Sequence, residues 1–255
     1  MLAFHEIVHR VVRCHPLLPV DKTVQFRHMV ILLNKFQDAW GQSVADLWNT
    51  ASYRVIADGG LHCYHRAKSY QLKMPDVICG DFDSVSKGIL NQYMTKGIKL
   101  VHLTDESETD FTKSVRMVDV KIKDKMIDCN TIFALGSHAG RPDHTLAIYH
   151  TLYKFRNPYL PIFFLSEDET CTWIINETEI RLDDDFKKYW CGIIPAFGRV
   201  ERVNTTGFKY NIINEPMQSG LLISTSNKFD RNMVEIETSG PLLFMMGRLD
   251  QEICN

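Results

Sequence analysis

Apolar positions in the first 165 residues fall into short blocks separated by longer stretches of mixed character. The blocks are Met29–Leu33, Arg54–Ala57, Val77–Cys79, Leu100–Leu103, Thr131–Leu135 and Ile162–Leu165. They are rich in Val, Ile and Leu and flanked by turn residues, as in strands of a parallel sheet buried on both faces. The stretches between them, roughly 19 to 27 residues, are long enough for crossover helices. Asp110–Val118 carries Phe111, Val115 and Val118 along one side, and Thr109 stands where a helix cap is needed. Six such repeats predict an open, doubly wound, mostly parallel six-stranded sheet with helices on both faces.

Past residue 168 the pattern shortens. Segments alternate at Cys171–Ile175, Glu179–Leu182, Tyr189–Ile194, Val200–Asn204, Lys209–Ile213, Leu221–Ser226, Met233–Glu237 and Leu242–Met246. Gly198, Gly207, Gly220 and Gly240 separate several of them. This spacing, with no helical period, predicts a C-terminal antiparallel β-sandwich. The expected class is thus α/β plus all-β. The expected divisions are an N-terminal extension (1–27), an α/β domain (28–165) and a sandwich (166–255).

Charge supports the division. Residues 166–255 hold 9 Lys/Arg and 15 Asp/Glu, whereas the net charge of all 255 residues is only −2. That leaves no global basic field for nucleic acid. With 45% apolar residues the chain can build a core and is not expected to be disordered. The apolar runs are far short of the ~20 residues of a membrane helix. Seven scattered cysteines without a CxxC pair suggest free thiols in a reducing compartment. The N-terminus has neither a continuous apolar core nor a small-residue cleavage site, so a cytoplasmic protein is expected.

Ligands of open α/β sheets bind beyond the carboxyl ends of the strands. The residues just past the predicted strands are Asp58-Gly59-Gly60, Gly80-Asp81-Phe82-Asp83-Ser84, Asp105 through Asp110 with Lys113, and Gly140-Arg141-Pro142-Asp143-His144. Carboxylates gathered on one edge repel one another and call for a cation. Oxygen ligands without Cys or His suit Mg²⁺, which also takes substrate phosphates. Asp81 and Asp83, two apart in a turn, can face one ion. Lys113 and Arg141 can neutralise phosphate oxygens, and the glycines let backbone N–H groups approach them. The expected chemistry is metal-assisted phosphoryl or pyrophosphoryl transfer.

Each motif has a plainer reading alone. Asp-Gly-Gly is a common turn, Asp-x-Asp a common solvated loop, and Thr109-Asp110 a common helix start. Their succession at strand ends is what points to a site. GxxxxGK[ST] is absent, and no GxGxxG follows the first strand of the α/β pattern. His62-Cys63-Tyr64-His65 lacks the partners for zinc. His138 and His144 flank the Arg141 turn, and Asp183-Asp184-Asp185 suggests a solvated turn.

Together these motifs resemble thiamin pyrophosphokinases of the eukaryotic type. The likeness rests on Ala57-Asp58-Gly59-Gly60, Gly80–Ser84, Thr109-Asp110-Phe111-Thr112-Lys113 and Gly140-Arg141-x-Asp143-His144. In the second half it rests on Trp190–Pro195, Thr205–Asn211 and Ser224–Asn227. The resemblance implies transfer of pyrophosphate from ATP, as co-substrate, to the hydroxyl of thiamin, giving thiamin diphosphate and AMP. It implies an ATP- and Mg²⁺-binding α/β domain, a thiamin-binding sandwich and a homodimer with the active site at the subunit interface.

By position, the resemblance gives Asp81, Asp83 and Asp110 the Mg²⁺ and triphosphate site. Asp58, Gly59, Gly60, Thr109, Lys113 and Arg141 become ATP contacts, and Asp143 a substrate-facing carboxylate. Glu106, Tyr210, Ser224 and Ser226 become thiamin contacts. Tyr210 stands where relatives commonly have Trp, and Glu106 where they often have Gln. Asp81, Asp83, Asp110 and Asp143 are the expected catalytic carboxylates, with Asp110 and Asp143 both open as the group orienting the hydroxyl. Two rivals stand beside this reading. One is a haloacid-dehalogenase-like Mg²⁺ phosphatase, suggested by Asp81-x-Asp83 after a strand. The other is an inactive thiamin or nucleotide sensor.

Overall fold

A computed structural model describes residues 10–15, 18–19, 27–36, 41–182 and 186–249. The Asp183–Asp185 turn lies outside them, as does most of the 1–27 segment. In chain order the structure begins with β1 (Arg10–His15), β2 (Leu18–Pro19), β3 (His28–Leu32), α1 (Gln42–Thr50), β4 (Tyr53–Ala57) and α2 (Gly60–Arg66). There follow β5 (Val77–Gly80), α3 (Lys87–Met94), β6 (Lys99–His102), α4 (Asp110–Lys123), β7 (Thr131–Gly136), α5 (Pro142–Lys154) and β8 (Ile162–Ser166). The remainder is β9 (Thr170–Ile175), β10 (Thr178–Leu182), β11 (Tyr189–Ile194), β12 (Val200–Thr206), β13 (Glu215–Met217), β14 (Ser224–Lys228), β15 (Met233–Thr238) and β16 (Leu242–Arg248).

The chain divides into two compact units, one of residues 26–155 and 160–168, the other of 1–25, 156–159 and 169–255. In the first, strands run parallel in the order β8-β7-β3-β4-β5-β6. All six apolar blocks of the sequence are these strands. β3, β5, β7 and β8 are buried along their whole length, which is why their sequences are unbroken apolar runs rather than alternations. From β3 the chain steps through β4 and β5 to β6, then jumps back to β7 and on to β8. Right-handed crossovers therefore place α1–α3 on one face and α4 and α5 on the other. The α4–α5 pair is fastened by a buried Thr112–Thr151 hydroxyl contact of 2.7 Å.

In the second unit, β14-β11-β16-β9 pair antiparallel throughout. β13-β12-β15-β10-β1-β2 form a second sheet, antiparallel except where β1 runs parallel to β10. Two short strands from the 1–27 segment thus pair in this sheet. The register Thr178↔Ile236 to Arg181↔Met233 keeps Ile180, Val234 and Ile236 buried together. Trp173 and Phe244 meet at 4.7 Å in the core of this unit. Lys209–Ile213 is a loop rather than a strand, and Glu215–Met217 is a short strand that the pattern does not show. The loop forms because Gly207 turns at φ +84, where a Cβ would come within 2.4 Å of the Met233 carbonyl.

Candidate active site

β4 ends at Ala57, and the chain turns sharply at Asp58 (φ 36) into α2. The Asp58 N–H donates to the Cys79 carbonyl at 2.7 Å, pinning the turn to β5. Asp58 is buried, and its Oδ1 has no hydrogen-bond partner. Burial pushes this carboxyl above its ordinary range, and the nearby Asp110, Asp81 and Asp83 charges add to the effect. A buried acceptor left unsatisfied costs about 1–3 kcal/mol. Gly80 makes room for it, since a Cβ there would stand 2.7 Å from the Asp58 Cβ.

β5 delivers Asp81 and Asp83. Phe82 between them takes φ 62 and stacks on His102 at 5.8 Å. His102 Nε2 lies 3.1 Å from the Asp81 carbonyl. The Asp83 N–H donates to Asp81 Oδ1 at 3.3 Å, and the Asp83 carboxylate accepts from the Ser84 hydroxyl at 2.8 Å. Desolvation works to raise the Asp81 carboxyl, but the Asp83 N–H and the Lys113 ammonium outweigh it and hold Asp81 below the usual range.

α4 supplies the third part. Thr109 caps it by accepting from the Thr112 N–H at 3.3 Å, which fixes Asp110 in its first turn. Lys113, one turn on, is buried with its ammonium 2.8 Å from Asp110 Oδ1 and 3.5 Å from Asp81 Oδ2. It also donates to the Leu103 carbonyl at 3.3 Å. Burial works against its charge, but the two carboxylates more than compensate and raise its pKa.

Carboxylate oxygens of Asp58, Asp81 and Asp110 lie within 4.8 Å of one another, the one group of metal-ligating spacing among the described residues. An exposed Asp81, a half-exposed Asp110 and a buried, unsatisfied Asp58 oxygen fit a hard divalent cation. The structure thus brings Asp58, expected among the ATP contacts, into the acidic cluster with Asp81 and Asp110. Asp83 lies beside it and bonds to Ser84. Nothing in the sequence distinguishes these two roles, because only the turn geometry aims Asp58 inward.

The other expected residues lie as follows. Arg141 and Asp143 are exposed and ion-paired at the start of α5, with Arg141 Nε donating to Asp143 Oδ1 at 3.1 Å. The Arg141 partner holds the Asp143 carboxyl below its ordinary range. Glu106 is exposed in the loop before α4. Gly59 and Gly60 are close-packed, since a Cβ on Gly60 would stand 2.5 Å from the Leu32 carbonyl. His62 Nε2 lies 3.0 Å from the Ser84 carbonyl. His138 is half-buried against Phe164.

In the second unit, Tyr210 and Ser224 line an open groove of about 500 Å³, with Ile213, Glu215 and Ile223. Asn227, buried beneath it, ties the groove together. Its Oδ1 accepts from the Tyr210 N–H at 3.1 Å, and its Nδ2 donates to the Tyr210 carbonyl at 2.8 Å. Ser226 is turned out of this wall by a left-handed backbone (φ 55). In the sequence Asn227 stands out only as the end of the Ser224–Asn227 motif, since buried amides carry no pattern of their own. Asn34 and Lys35, past the end of β3, carry no signal in the sequence, because no glycine-rich motif marks them.

The family described as "Thiamin pyrophosphokinase, catalytic domain" matches residues 44–164, and "Thiamin pyrophosphokinase, vitamin B1 binding domain" matches 177–243. Thiamin pyrophosphokinase 1 of Caenorhabditis elegans is 33% identical over 215 residues, covering 84% of this chain and 86% of its own. Thiamine pyrophosphokinase 2 of Arabidopsis thaliana is 28% identical, covering 89% of each. The crystal structure of yeast thiamin pyrophosphokinase superposes with a TM-score of 0.80 at 19% identity, over 94% of this chain and 91% of that one. The Candida albicans enzyme superposes at 0.78 with 20% identity, over 97% and 96%.

Proposed function

The chain belongs to the thiamin pyrophosphokinase family, and from that premise we propose that it transfers the terminal pyrophosphate of ATP to the hydroxyl of thiamin, releasing thiamin diphosphate and AMP. The observation that carries this is the match of both units, the acidic strand ends in one and the groove in the other, to the two parts of one family. Neither the phosphatase nor the sensor reading is supported by these relatives.

Asp58, Asp81 and Asp110 would hold Mg²⁺, with Asp83 beside them. When bound, the ion supplies charge neutralisation for the phosphate chain. Lys113 keeps Asp81 ionised and bridges it to Asp110, so the cluster is preformed rather than assembled at the moment of reaction. Thr109 holds Asp110 in register through its cap. Arg141, whose guanidinium is exposed, exchanges Asp143 for a phosphate oxygen, which frees the Asp143 carboxylate toward the attacking hydroxyl. Gly59 and Gly60 keep the α2 start close to β3. Thiamin, a cation with an aromatic pyrimidine, suits a groove with Tyr210 on its wall and Glu215 at its edge. Ser224 supplies a further polar contact to it.

We further propose a homodimer. Tyr210, Ile213, Leu221 and Ile223 are exposed apolar side chains on one unit that a second copy would cover. A reducing, cytoplasmic setting fits Cys63, Cys79, Cys129 and Cys191, each of which stands as a thiol outside any disulfide. No helix among the described residues is long and apolar enough to cross a membrane.

The test is incubation of the chain with ATP, Mg²⁺ and thiamin. AMP and thiamin diphosphate formed in equal amounts are expected. ADP or free phosphate as the product would overturn the reading. Asp58→Asn is expected to lose at least about 10²-fold in turnover, more than Asp83→Asn.

A further inference from the structure

The acidic cluster stands at the ends of β4 and β5 and the start of α4, yet the switch point of the sheet lies elsewhere. It falls between β3 and β7, from which the chain proceeds in opposite directions to β4 and to β8. The crevice beyond that point is where open α/β sheets take their ligands. Its walls are Asn34-Lys35 on one side and His138–Arg141 on the other, held together by the Leu33 N–H donating to the Leu135 carbonyl at 2.8 Å.

Lys35 is built into this wall in an unusual way. It takes a left-handed backbone (φ 65), a conformation that non-glycine residues adopt at a cost and that clusters at ligand-binding sites. The Asn34 side chain holds it there, accepting from the Lys35 N–H at 2.8 Å. Asn34 in turn packs on Gly59, where a Cβ would stand 2.6 Å from its Nδ2. The lysine side chain reaches across the crevice, so that a Cβ on Gly140 would lie 3.3 Å from its ammonium. Two glycines thus make room for one lysine and its loop.

The other cations of this edge already have carboxylates. Lys113 is paired with Asp110 and Asp81, and Arg141 with Asp143. Lys35 is half-buried and has no carboxylate within ion-pair distance among the described residues. A half-buried ammonium with no counter-ion among the described residues, in the ligand crevice and beside a glycine turn, is placed to meet an anion.

We infer that Lys35 is a further phosphate-binding residue, its ammonium taking an oxygen of the nucleotide's phosphate chain at the switch point between β3 and β7. The inference rests on the reaction proposed above. It divides the labour at the edge: the acidic residues would hold the metal ion, and Lys35 with Arg141 would neutralise phosphate oxygens.

The test is steady-state kinetics of the full chain with ATP and thiamin varied separately, on Lys35→Met and Lys35→Arg. Lys35→Met should lower kcat/KM for ATP by about 10- to 100-fold while the thiamin KM moves less than about twofold. Lys35→Arg should recover most of the loss. Circular dichroism melting of each variant should match the parent, because the backbone conformation is retained. An unchanged kcat/KM for ATP in Lys35→Met, or an equal loss in Lys35→Arg, would overturn the assignment. Should the parent chain release no AMP, the proposed reaction fails and calorimetric titration with inorganic tripolyphosphate decides for Lys35 alone. Weaker binding in Lys35→Met supports it, and equal binding overturns it.

Discussion

Gly80 and Asp58 share a space that holds one side chain. A Cβ on Gly80 would stand 2.7 Å from the Cβ of Asp58, and Gly80 itself takes φ +148. The closeness of β4 and β5 at their carboxyl ends, and hence the inward aim of Asp58, depends on the missing methyl group.

Gly80→Ala should therefore displace Asp58 and strain the backbone together. A loss of about 2–3 kcal/mol in unfolding free energy is expected, with turnover falling at least about 10²-fold. Denaturant unfolding and AMP release, measured on the same preparation, check both.

Asp58→Asn should act in opposite directions on stability and activity. Burial raises the Asp58 carboxyl, so the native state binds its proton more tightly than the unfolded chain does. Its ionised form therefore costs stability at pH values above the raised value. The amide removes that cost, so the variant should melt at or above the parent temperature at pH 7. The stabilisation that Mg²⁺ gives the parent should shrink. Differential scanning fluorimetry with and without Mg²⁺ reads both effects.

Lys113→Met leaves Asp81 and Asp110 facing each other without their cation. Because both carboxylates are partly solvated, the expected cost is about 1–3 kcal/mol rather than the larger penalty of a fully buried pair. Mg²⁺ stabilises this variant more than it stabilises the parent, since the ion replaces the lost charge. A Mg²⁺ titration followed by thermal melting distinguishes this from loss of an ordinary surface pair.

Acidification should weaken the fold through His28. Burial lowers its pKa; the hydrogen bond to the Leu47 carbonyl at 2.7 Å opposes this, and the Arg54 charge adds to the lowering. Below the unfolded value of 6.5 the unfolded chain takes up a proton that the native state resists. Stability is therefore lost as pH falls from 6.5 toward the lower folded value, by at most about 1.4 kcal/mol per pH unit. The stability difference between the parent and His28→Gln should narrow by about 1 kcal/mol between pH 7.5 and 5.5, as read by urea unfolding.

Asn227→Ala should loosen the groove by freeing both the Tyr210 N–H and its carbonyl. Leaving these groups unpaired costs about 1–3 kcal/mol. The thiamin KM should rise about tenfold with little change in the ATP KM, which initial-rate kinetics resolve.

Much of this molecule was legible in the chain. The six parallel strands were legible because strands buried on both faces need continuous Val, Ile and Leu, and β4, β5 and β7 end at a glycine or aspartate. The acidic edge followed, since carboxyl ends of such strands are where chemistry collects. The Lys209–Ile213 loop was read as a strand because its apolar residues alternate. Tyr210 is exposed but Ile212 is buried, so two positions that would share one face of a strand do not, and the segment forms a groove wall.

What the sequence determined by itself was the order of elements, the class of each half and the set of charged residues available at the strand ends, because these depend on local pattern and chain order. Only the tertiary structure decided which of them meet. Asp58 joins Asp81 and Asp110 because Gly80 lets two turns close on each other. Lys113 lies under them because Thr109 sets the start of α4. Lys35 faces Gly140 because β3 and β7, a hundred residues apart in the chain, are neighbours in the sheet. Contacts across such separations depend on packing distances of a few ångströms, which no local pattern of residues encodes.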